Sequence, residues 1–518
     1  MIPSLIAMLV MNQEPQTNLW PTPKAVFDRR AEDWRIGSIV YQIFVDRFAP
    51  SDHLDEKRGL YAAPRRLVPW EEEPKGGHEV PEAGVWSHEI DFWGGDLKSV
   101  QGKLGYLKNF GADVVYLNPI QLAYTNHKYD ALDYAEVSPE YGTRKDVANL
   151  AQALHGEGMK LVLDGVLNHV GKKNKRFQDA LNHPDSPYRD WFFFGSQYPL
   201  GYRAWVGVPN LPENRLENPA YRDYLWRKPD SVVQKYLSEG VDGWRLDVAY
   251  DIGPDFLGEL TQSAHKAKPG SLVVGEVWNY PAGWSPSLDG IFNFTYKQLV
   301  IGMMNGEVTG PQVGRQFGDL VEDSGLENLM RCWTVLDNHD TSRLRADIPD
   351  EKWRHIAQVV QFTAPGSPCV YYGTEVGLDG AGDPGSRGPM RWERANESNP
   401  DFVWMRKLVE LRKRRRALRV GDYRTLEAKD LLAYGRFTDR VGETTIVLIN
   451  PTDHELWDTV AVRDGRLMNY SELKDEFDGQ RFRTYAGLLR ASVPAHGFRV
   501  LSPVIERWAG YTPYKRMR

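Results

Sequence analysis

Four short apolar runs along the chain each end in acidic or imidazole side chains. Their strong β propensity and short length predict buried strands. The runs are Lys160–Asp164 followed by Asn168 and His169, Val241–Asp247, Ser271–Glu276 followed by Trp278, and Cys332–Asp337 followed by Asn338, His339 and Asp340. A parallel β/α barrel gathers its strand ends on one face, where its active site forms. A flat doubly wound sheet also places its strand ends along one edge. A closed barrel, however, brings the ends of four separated strands to one point more readily.

Other segments complete the predicted barrel. Ile36–Phe48 is rich in β-branched and aromatic residues and is taken as the first strand, and Val114–Leu117 as the second. Between them, leucine and valine recur at helical spacing from Leu97 to Leu107, with Gly111 as the stop. Gly290–Asn293 supplies a further strand.

The spacing of the strands predicts the domain organisation. Asp164 and Asp247 are separated by far more than one β/α unit of roughly 30–40 residues. About 50 residues must therefore be inserted into the barrel after its third strand. Beyond Gly421, short strand-like runs such as Leu431–Phe437, Thr444–Ile449 and Phe498–Leu501 alternate with turns. The sequence therefore predicts a lead-in at 1–36, a (β/α)8 TIM barrel at 37–169 and 232–420, an inserted domain at 170–231 and a C-terminal antiparallel β domain at 421–518.

Composition adds limits on partners. The 518 residues are 41% hydrophobic and 26% charged, with a net charge of −6, as in soluble globular proteins. This mild charge points to neither nucleic acid nor an anionic membrane as a partner. Apolar residues around the basic run Arg412–Arg416 form a rough stripe along a helix. The run is therefore predicted to be the solvent-exposed face of the last barrel helix.

The N-terminal segment and the two cysteines give information about the cellular location of the protein. Met1–Met11 is apolar but too short to span a bilayer, and it lacks a basic start and a small-residue cleavage site. Pro15–Lys24 is predicted to have no structure of its own. A cytoplasmic protein is expected, with secretion as the alternative. Cys332 and Cys369 fall in predicted strands and are expected to be core thiols.

The chemistry follows from residues on neighbouring strands. Asp247 and Glu276 could straddle one glycosidic bond, since acetal cleavage needs a proton donor and an opposing carboxylate. Arg245 lies two residues before Asp247 on the same side of its strand, where it would lower the pKa of that carboxyl, while apolar neighbours would keep Glu276 protonated. Arg245 and Asp247 alone would fit a structural ion pair equally well. A zinc or magnesium centre is disfavoured by an arginine among the ligands.

Eight segments together resemble the α-amylase superfamily of glycoside hydrolases (glycoside hydrolase family 13). The four that carry most weight are 164–169 (DGVLNH), 243–247 (GWRLD), 275–278 (GEVW) and 338–340 (NHD). The likeness extends through 92–97 (FWGGDL), 127–130 (HKYD), 186–191 (SPYRDW) and 371–377 (YYGTEVG). The set is most similar to the neopullulanase, cyclomaltodextrinase and maltogenic amylase group and covers roughly residues 37–420.

The resemblance implies roles for individual residues. It implies Asp247 as nucleophile, Glu276 as acid/base and Asp340 as transition-state stabiliser. Substrate-binding positions implied by the match are Tyr129, which would stack on the reacting sugar, His169 and His339, which would bind its hydroxyls, and Arg245 and Trp278. Supporting positions are Asp130, Asp164 and Asn168. No cofactor is required, but some relatives bind calcium through the residue matching Asn168.

The sequence differs from this group of enzymes in two respects, which limit the properties that the resemblance implies for this chain. Residues 211–216 read LPENRL where the group has LPKLN, which puts calcium and local substrate contacts in question. Only residues 1–36 of this sequence precede the first strand, so the N-terminal β domain that the group uses for dimerisation is not expected here, and a monomer is expected. The expected function is a retaining hydrolase of α-1,4 bonds in malto-oligosaccharides or starch-like chains. The alternatives are a 4-α-glucanotransferase and an inactive carbohydrate-binding or partner subunit.

Overall fold

The computed structural model describes residues 22–505, 507 and 509–517. Eight parallel strands form a closed barrel, as the sequence predicts. The strands are β1 (Val40–Ile43), β2 (Val114–Leu117), β3 (Lys160–Gly165), β4 (Gly243–Leu246), β5 (Leu272–Gly275), β6 (Gly290–Asn293), β7 (Trp333–Val335) and β8 (Ser367–Tyr371). The apolar segment Met1–Met11 and the predicted unstructured stretch up to residue 21 lie outside the described residues.

Alternating side chains along the strands build two apolar layers. One set fills the barrel interior and includes Val40, Tyr116, Val162, Val274, Phe292 and Trp333. The other faces outward against the helices and includes Tyr41, Leu117, Leu163, Trp244, Val273 and Ile291. This period of two is the expected consequence of the β pleat, and the packed interior leaves only the barrel ends open for a site.

Helices cover the barrel from outside. They are Leu97–Gln101, Leu104–Phe110, Arg144–Gly156, Val232–Ser238, Ala249–Ile252, Pro254–Ala267, Thr295–Met304, Gly310–Ser324, Leu326–Arg331, Leu344–Asp347, Glu351–Thr363, Pro400–Arg414 and Arg416–Val420. The predicted stop at Gly111 is confirmed, because this glycine caps Leu104–Phe110 with φ 95°. Residues 276–289, all of them described, join β5 to β6 without a helix.

The prediction for the first strand is wrong in extent. The predicted strand Ile36–Phe48 is a strand only over Val40–Ile43, and Val45–Phe48 forms a helical turn. The reason is Asp46, whose buried carboxylate accepts hydrogen bonds from the backbone N–H groups of Trp93 and Gly94. This contact holds the chain in a turn at the barrel mouth, so the β-branched and aromatic residues are buried there without extending the sheet.

Residues 170–231 connect β3 to the next barrel helix. Their regular structure comprises the helices Lys175–Asn182 and Pro219–Arg222, a π-helical turn at Asp223–Arg227 and the 3-10 turns Arg189–Trp191 and Trp205–Gly207. Stacked aromatic rings hold the segment together, with Trp191 and Tyr221 only 4.2 Å apart between ring centroids. An isolated bridge between His169 and Glu213 ties it to the end of β3.

The C-terminal residues form the predicted antiparallel sheet. Its strands are β9 (Asp422–Thr425), β10 (Leu432–Phe437), β11 (Thr445–Asn450), β12 (Leu456–Ala461), β13 (Glu472–Asp475), β14 (Arg481–Tyr485), β15 (Leu488–Val493) and β16 (Gly497–Pro503). They pair in the order β9-β10-β11-β16-β13-β14-β15-β12. A separate apolar cluster, which includes Leu431, Ile446, Leu448 and Leu501, forms the core of this sheet.

The predicted solvated face at Arg412–Arg416 is wrong for its first member. Arg412 is 3% exposed and donates hydrogen bonds to the carbonyl groups of Gly37, Phe362 and Gly366. Arg414 and Arg415 both pair with Glu476 of the C-terminal sheet. The run therefore joins the barrel base to that sheet, because arginine can satisfy several carbonyl groups at once.

The predicted lead-in contains a helix, Lys24–Glu32. Its Phe27 packs with Ile36, Met330 and Val420. Both cysteines are buried free thiols, as predicted. In the described part of the chain, every helix is too short or too polar to cross a membrane.

Candidate active site

The two central carboxylates occupy matching positions on neighbouring strands. Asp247 directly follows β4 and Glu276 directly follows β5. Leu246 pairs with Gly275, and the backbone N–H of Glu276 donates to the carbonyl of Leu246 at 2.9 Å. The strands approach closely at their other end, where a Cβ on Gly243 would come within 2.4 Å of the carbonyl oxygen of Leu272. The predicted juxtaposition of Asp247 and Glu276 is confirmed.

One arginine holds three carboxylates. Arg245 is fully buried, and its Nη1 donates to Asp164 Oδ1 at 2.8 Å and to Asp247 Oδ1 at 3.0 Å. Its Nη2 lies 2.9 Å from Oε2 of Glu276, in an ion pair too bent to be a hydrogen bond. A single cation cannot neutralise three carboxylates, two of them buried, so the site carries excess negative charge that favours the retention of a proton.

The expected effect of Arg245 on Asp247 is wrong in its net direction. Burial raises the pKa of Asp247 well above its usual range; Arg245 opposes this, and the charges of Glu276, Asp164 and Asp340 add to it. Burial also raises the pKa of Asp164 to about 6, against the opposing charge of Arg245. Desolvation therefore outweighs the ion pair, which the sequence alone did not indicate because exposure is a property of the fold.

Tyr129 and His339 form a second group of contacts. Their rings stack with centroids 5.2 Å apart and an interplanar angle of 4°. The Tyr129 hydroxyl donates to Asp164 Oδ2 at 3.1 Å and lies 2.5 Å from His339 Nε2. His339 Nε2 is also 3.0 Å from Asp340 Oδ2. These contacts place the buried His339 directly behind Tyr129 and Asp340, which line the same cavity as Asp247.

The amide neighbours of His339 define its tautomer. Nδ1 accepts from the side-chain amides of Gln42 and Asn118, each at 3.1 Å. The ring proton therefore sits on Nε2, which faces Asp340. Burial, together with the charges of Arg387 and Arg245, lowers the pKa of His339 well below its usual range. The imidazole is thus a neutral hydrogen-bond donor at neutral pH.

His169 is held against the inserted segment. It is 1% exposed, it donates from Nε2 to the carbonyl of Tyr129 at 3.2 Å, and Nε2 lies 4.0 Å from Asp247 Oδ2. Its ring stacks on the indole of Trp205, with centroids 5.3 Å apart. Burial lowers the pKa of His169 to about 4. His169, which the resemblance implies binds hydroxyls of the reacting sugar, therefore lies beside Asp247.

We expect this shift to make stability depend on pH. The unfolded chain protonates His169 near pH 6.5 and the folded chain only near pH 4, so the His169 contribution is complete above pH 6.5 and falls towards pH 4. Between pH 7.5 and pH 5, wild type should lose about 2 kcal/mol more of its free energy of unfolding than His169→Asn. Urea titrations at both pH values measure this. Exposed His183→Asn, the control, should behave as wild type, and an equal loss in His169→Asn would contradict the prediction.

Trp278 borders Glu276 differently from the prediction. Its side chain is 55% exposed and stacks on Phe294 with centroids 4.5 Å apart. The indole N–H donates to Glu276 Oε1 at 2.9 Å. The backbone N–H of Val248 donates to Oε2 of the same carboxyl at 3.2 Å. The neighbours of Glu276 therefore fix its side chain through hydrogen bonds rather than by apolar contact.

The supporting residues lie behind the cavity wall. Asp130 accepts from the backbone and hydroxyl of Thr125, which fixes the loop that carries Tyr129. Asp164 accepts from the hydroxyl of Tyr116 at 2.5 Å. The carbonyl of Asn168 accepts from the backbone N–H of Asn214 at 2.9 Å, while its buried Nδ2 has no hydrogen-bond partner among the described residues. These three residues support the site without lining it.

Asn168 is the position at which the resemblance would place a calcium ligand. Calcium takes six to eight oxygen ligands, several of them carboxylates. The described residues hold no group of three or more histidine, cysteine or acidic side chains placed for a metal ion. At the position where the group has lysine, Glu213 pairs with Arg203 instead. The residues around Asn168 therefore do not fit a calcium ion.

The cavity adds residues that sequence reasoning missed. It has a volume of about 660 Å³, and besides Asp247, Glu276 and Asp340 it is lined by Glu89, Trp205, Tyr250, Asp383 and Arg387, among others. Arg387 Nη2 lies 3.4 Å from Asp340 Oδ1, and its Nη1 lies 3.1 Å from Asp383 Oδ2. Apart from Tyr250, which lies in the short helix Ala249–Ile252, these residues come from loops and single turns without periodicity. The one available signal was the turn-rich segment 379–388 (DGAGDPGSRG) following β8.

The barrel, the strand-end carboxylates and the buried arginine match a known class. The family model "Alpha amylase, catalytic domain" matches residues 42–420. Because this is more than half of the 518 residues, the chain belongs to the α-amylase family of glycoside hydrolases. The resemblance seen in the sequence is confirmed.

Individual enzymes of the family share about a third of their residues with this chain. The chain is 32% identical over 412 residues to neopullulanase 2 of Thermoactinomyces vulgaris, covering 76% of this chain and 66% of the relative. It is 31% identical over 436 residues to a cyclomaltodextrinase of Bacillus sp, covering 80% and 73%. The chain therefore spans about two thirds to three quarters of these relatives.

Solved structures match over nearly their whole length. The ligand-free cyclic α-maltosyl-(1→6)-maltose hydrolase from Arthrobacter globiformis superposes with a TM-score of 0.70 and 27% identity, covering 91% of this chain and 99% of that one. The native Nostoc punctiforme debranching enzyme gives 0.75 and 27%, with 91% and 99% covered. The fold is thus shared with enzymes that are similar in length to this chain.

Proposed function

We propose that the chain is a retaining α-glucan hydrolase that cleaves α-1,4-glucosidic bonds in malto-oligosaccharides or starch-like chains. The observation that carries the proposal is the placement of Asp247 and Glu276 on adjacent strand ends, both within 3.0 Å of one buried guanidinium. Such closeness favours the carboxylate separation of about 5 Å used in double displacement. The names of the relatives, neopullulanase and cyclomaltodextrinase, support an α-glucan substrate.

In the first step, Glu276 donates its proton to the glycosidic oxygen as the C–O bond breaks. In the ionisation state that reacts, the proton retained by these carboxyls lies on Glu276, so a carboxylate oxygen of Asp247 can attack the anomeric carbon and form a covalent glycosyl ester. Arg245, 3.0 Å from Asp247 Oδ1, orients that carboxylate. In the second step, Glu276 takes a proton from water as the water oxygen displaces Asp247 from the anomeric carbon.

The remaining residues act on the charge that develops in each transition state. Asp340 faces the same cavity, and its carboxylate would stabilise the oxocarbenium-like centre while Asp247 is bonded to the sugar. The neutral His339 presents Nε2–H beside Asp340 as a donor for a sugar hydroxyl. Tyr129 provides an aromatic wall held by its contacts to Asp164 and Asn118.

Incubation with maltoheptaose, with products resolved by chain length, tests the proposal. Shorter maltodextrins as the sole products are the expected result. Products longer than the substrate would instead favour a glucanotransferase, in which an acceptor hydroxyl replaces water. The exposed rings of Trp278 and Tyr250 in the cavity are suited to holding such an acceptor. Unchanged substrate would contradict both activities.

A further inference from the structure

Glu89 is a cavity residue that the mechanism above does not use. It lies in the 3-10 turn Ser87–Ile90, in the long loop between β1 and the first barrel helix. Its side chain is 23% exposed and lines the catalytic cavity. One oxygen, Oε2, accepts from the backbone N–H of Trp86 at 2.6 Å. The other, Oε1, is directed towards His127.

The partner of Glu89 is a rigid hydrogen-bond donor. His127 is 9% exposed, and its Nδ1 accepts from the backbone N–H of Tyr129 at 3.0 Å. The ring proton therefore sits on Nε2, 3.3 Å from Glu89 Oε1. Burial acts to raise the pKa of Glu89, but the hydrogen bond from His127 brings it down to about 2. The pair thus presents an ionised acceptor beside a fixed donor.

The spacing of this pair leaves it open to a ligand. Charge-assisted N–H···O hydrogen bonds are normally about 2.7–2.9 Å long, so a 3.3 Å contact is weak. A hydroxyl group can accept from His127 Nε2 and donate to Glu89 Oε1 at the same time. Such a bridging hydroxyl would form two stronger hydrogen bonds in place of one weak contact.

Contacts along the cavity wall indicate which part of the substrate reaches Glu89. From Glu89 they run through His127 to Tyr129, whose hydroxyl lies beside His339 and thereby near Asp340. The proton donor Glu276 is instead contacted by Trp278 and Val248. Glu89 therefore belongs to the Asp340 side of the cavity, which binds the sugar that is transferred to the enzyme rather than the leaving group.

We propose that Glu89, with His127, is a specificity-determining site that recognises one hydroxyl of the glycone part of an α-glucan. This inference rests on the proposed function and adds a residue outside the mechanism. A lost hydrogen bond to a charged group lowers transition-state binding by a factor of about 10 to 100. Glu89→Gln should therefore reduce kcat/KM for p-nitrophenyl α-maltoside by that factor.

A panel of p-nitrophenyl α-maltosides, each lacking one hydroxyl of the maltosyl group, provides the decisive readout. In wild type, removal of the recognised hydroxyl should lower kcat/KM by about 10- to 100-fold. In Glu89→Gln the same removal should cost clearly less than in wild type, because the charged acceptor is already lost and only the hydrogen bond from His127 remains. Penalties at the other positions should be equal in both proteins. A merely structural role for Glu89 would lower all rates together without this coupling.

Glu82→Gln is the matched control, since Glu82 is an exposed acid of the same loop and does not line the cavity. It should reproduce every wild-type rate. Equal penalties at all positions in wild type and Glu89→Gln would overturn the inference while leaving the proposed function intact. A wild-type protein that cleaves no member of the panel, including the parent maltoside, would overturn the proposed function and this inference with it.

Discussion

Asp247→Asn and Glu276→Gln should each lower kcat by at least about 10³-fold while the protein remains folded. Asparagine cannot form the glycosyl ester, and glutamine can neither protonate the leaving oxygen nor activate water. Both substitutions are nearly isosteric, and an amide oxygen can still accept from Arg245 or Val248, which hold these positions now. Initial rates on maltoheptaose, together with thermal denaturation of each variant, measure the two effects.

Asp255→Asn is the control for this pair. Asp255 is exposed near the start of the helix that follows β4, so its loss tests a change of charge in the same β/α unit without touching the cavity. It should keep wild-type activity. Retention of more than about a tenth of kcat by either active-site variant would remove that residue from the proposed mechanism.

Arg245→Met should be destabilising as well as inactive. The substitution leaves Asp164, Asp247 and Glu276 in a buried site without their shared cation. Breaking a buried ion pair by removing one partner costs about 3–5 kcal/mol in the free energy of unfolding. Without the cation the raised pKa values of Asp164 and Asp247 rise further, so these folded carboxyls hold protons at a pH at which the unfolded ones have released them. The loss should therefore be larger at pH 8 than at pH 5.

Urea denaturation at the two pH values tests this prediction. Arg58→Met is the control, because Arg58 forms an exposed ion pair with Asp55 that is worth at most about 1 kcal/mol. Adding Asp164→Asn to Arg245→Met should recover part of the stability but none of the activity. A loss below about 1 kcal/mol for Arg245→Met at pH 8 would show that the three carboxylates do not depend on this guanidinium.

The sequence predicts the strand ends well because short apolar runs and their polar termini are local features. Asp247 and Glu276 lie where their strands were expected to end, and β2 spans the predicted Val114–Leu117. The predicted strand Ile36–Phe48 is longer than the observed one because burial in a loop and burial in a strand select the same residue types. Only the folded chain reveals that Asp46 turns the backbone by accepting two N–H groups.

Features that depend on distant contacts were not predictable in the same way. Arg412 looked like one charge of a solvated run, yet it is buried by carbonyl groups up to 375 positions away. Glu89, Asp383 and Arg387 come from loops whose local sequence has no period to interpret, and they join the site only when the barrel closes. The pKa of Asp247 likewise depends on burial, which local spacing does not report.

The anomeric configuration of the first product tests the central claim most directly. Adjacent strands lie roughly 4.8 Å apart, which favours nucleophilic attack by Asp247 over a water held between two more widely separated carboxyls. Proton NMR in the first minutes of maltoheptaose hydrolysis, before mutarotation mixes the anomers, reports the outcome. The account predicts an initial α-anomer signal from the new reducing ends. An initial β-anomer signal would contradict it and make Asp247 a general base instead of a nucleophile.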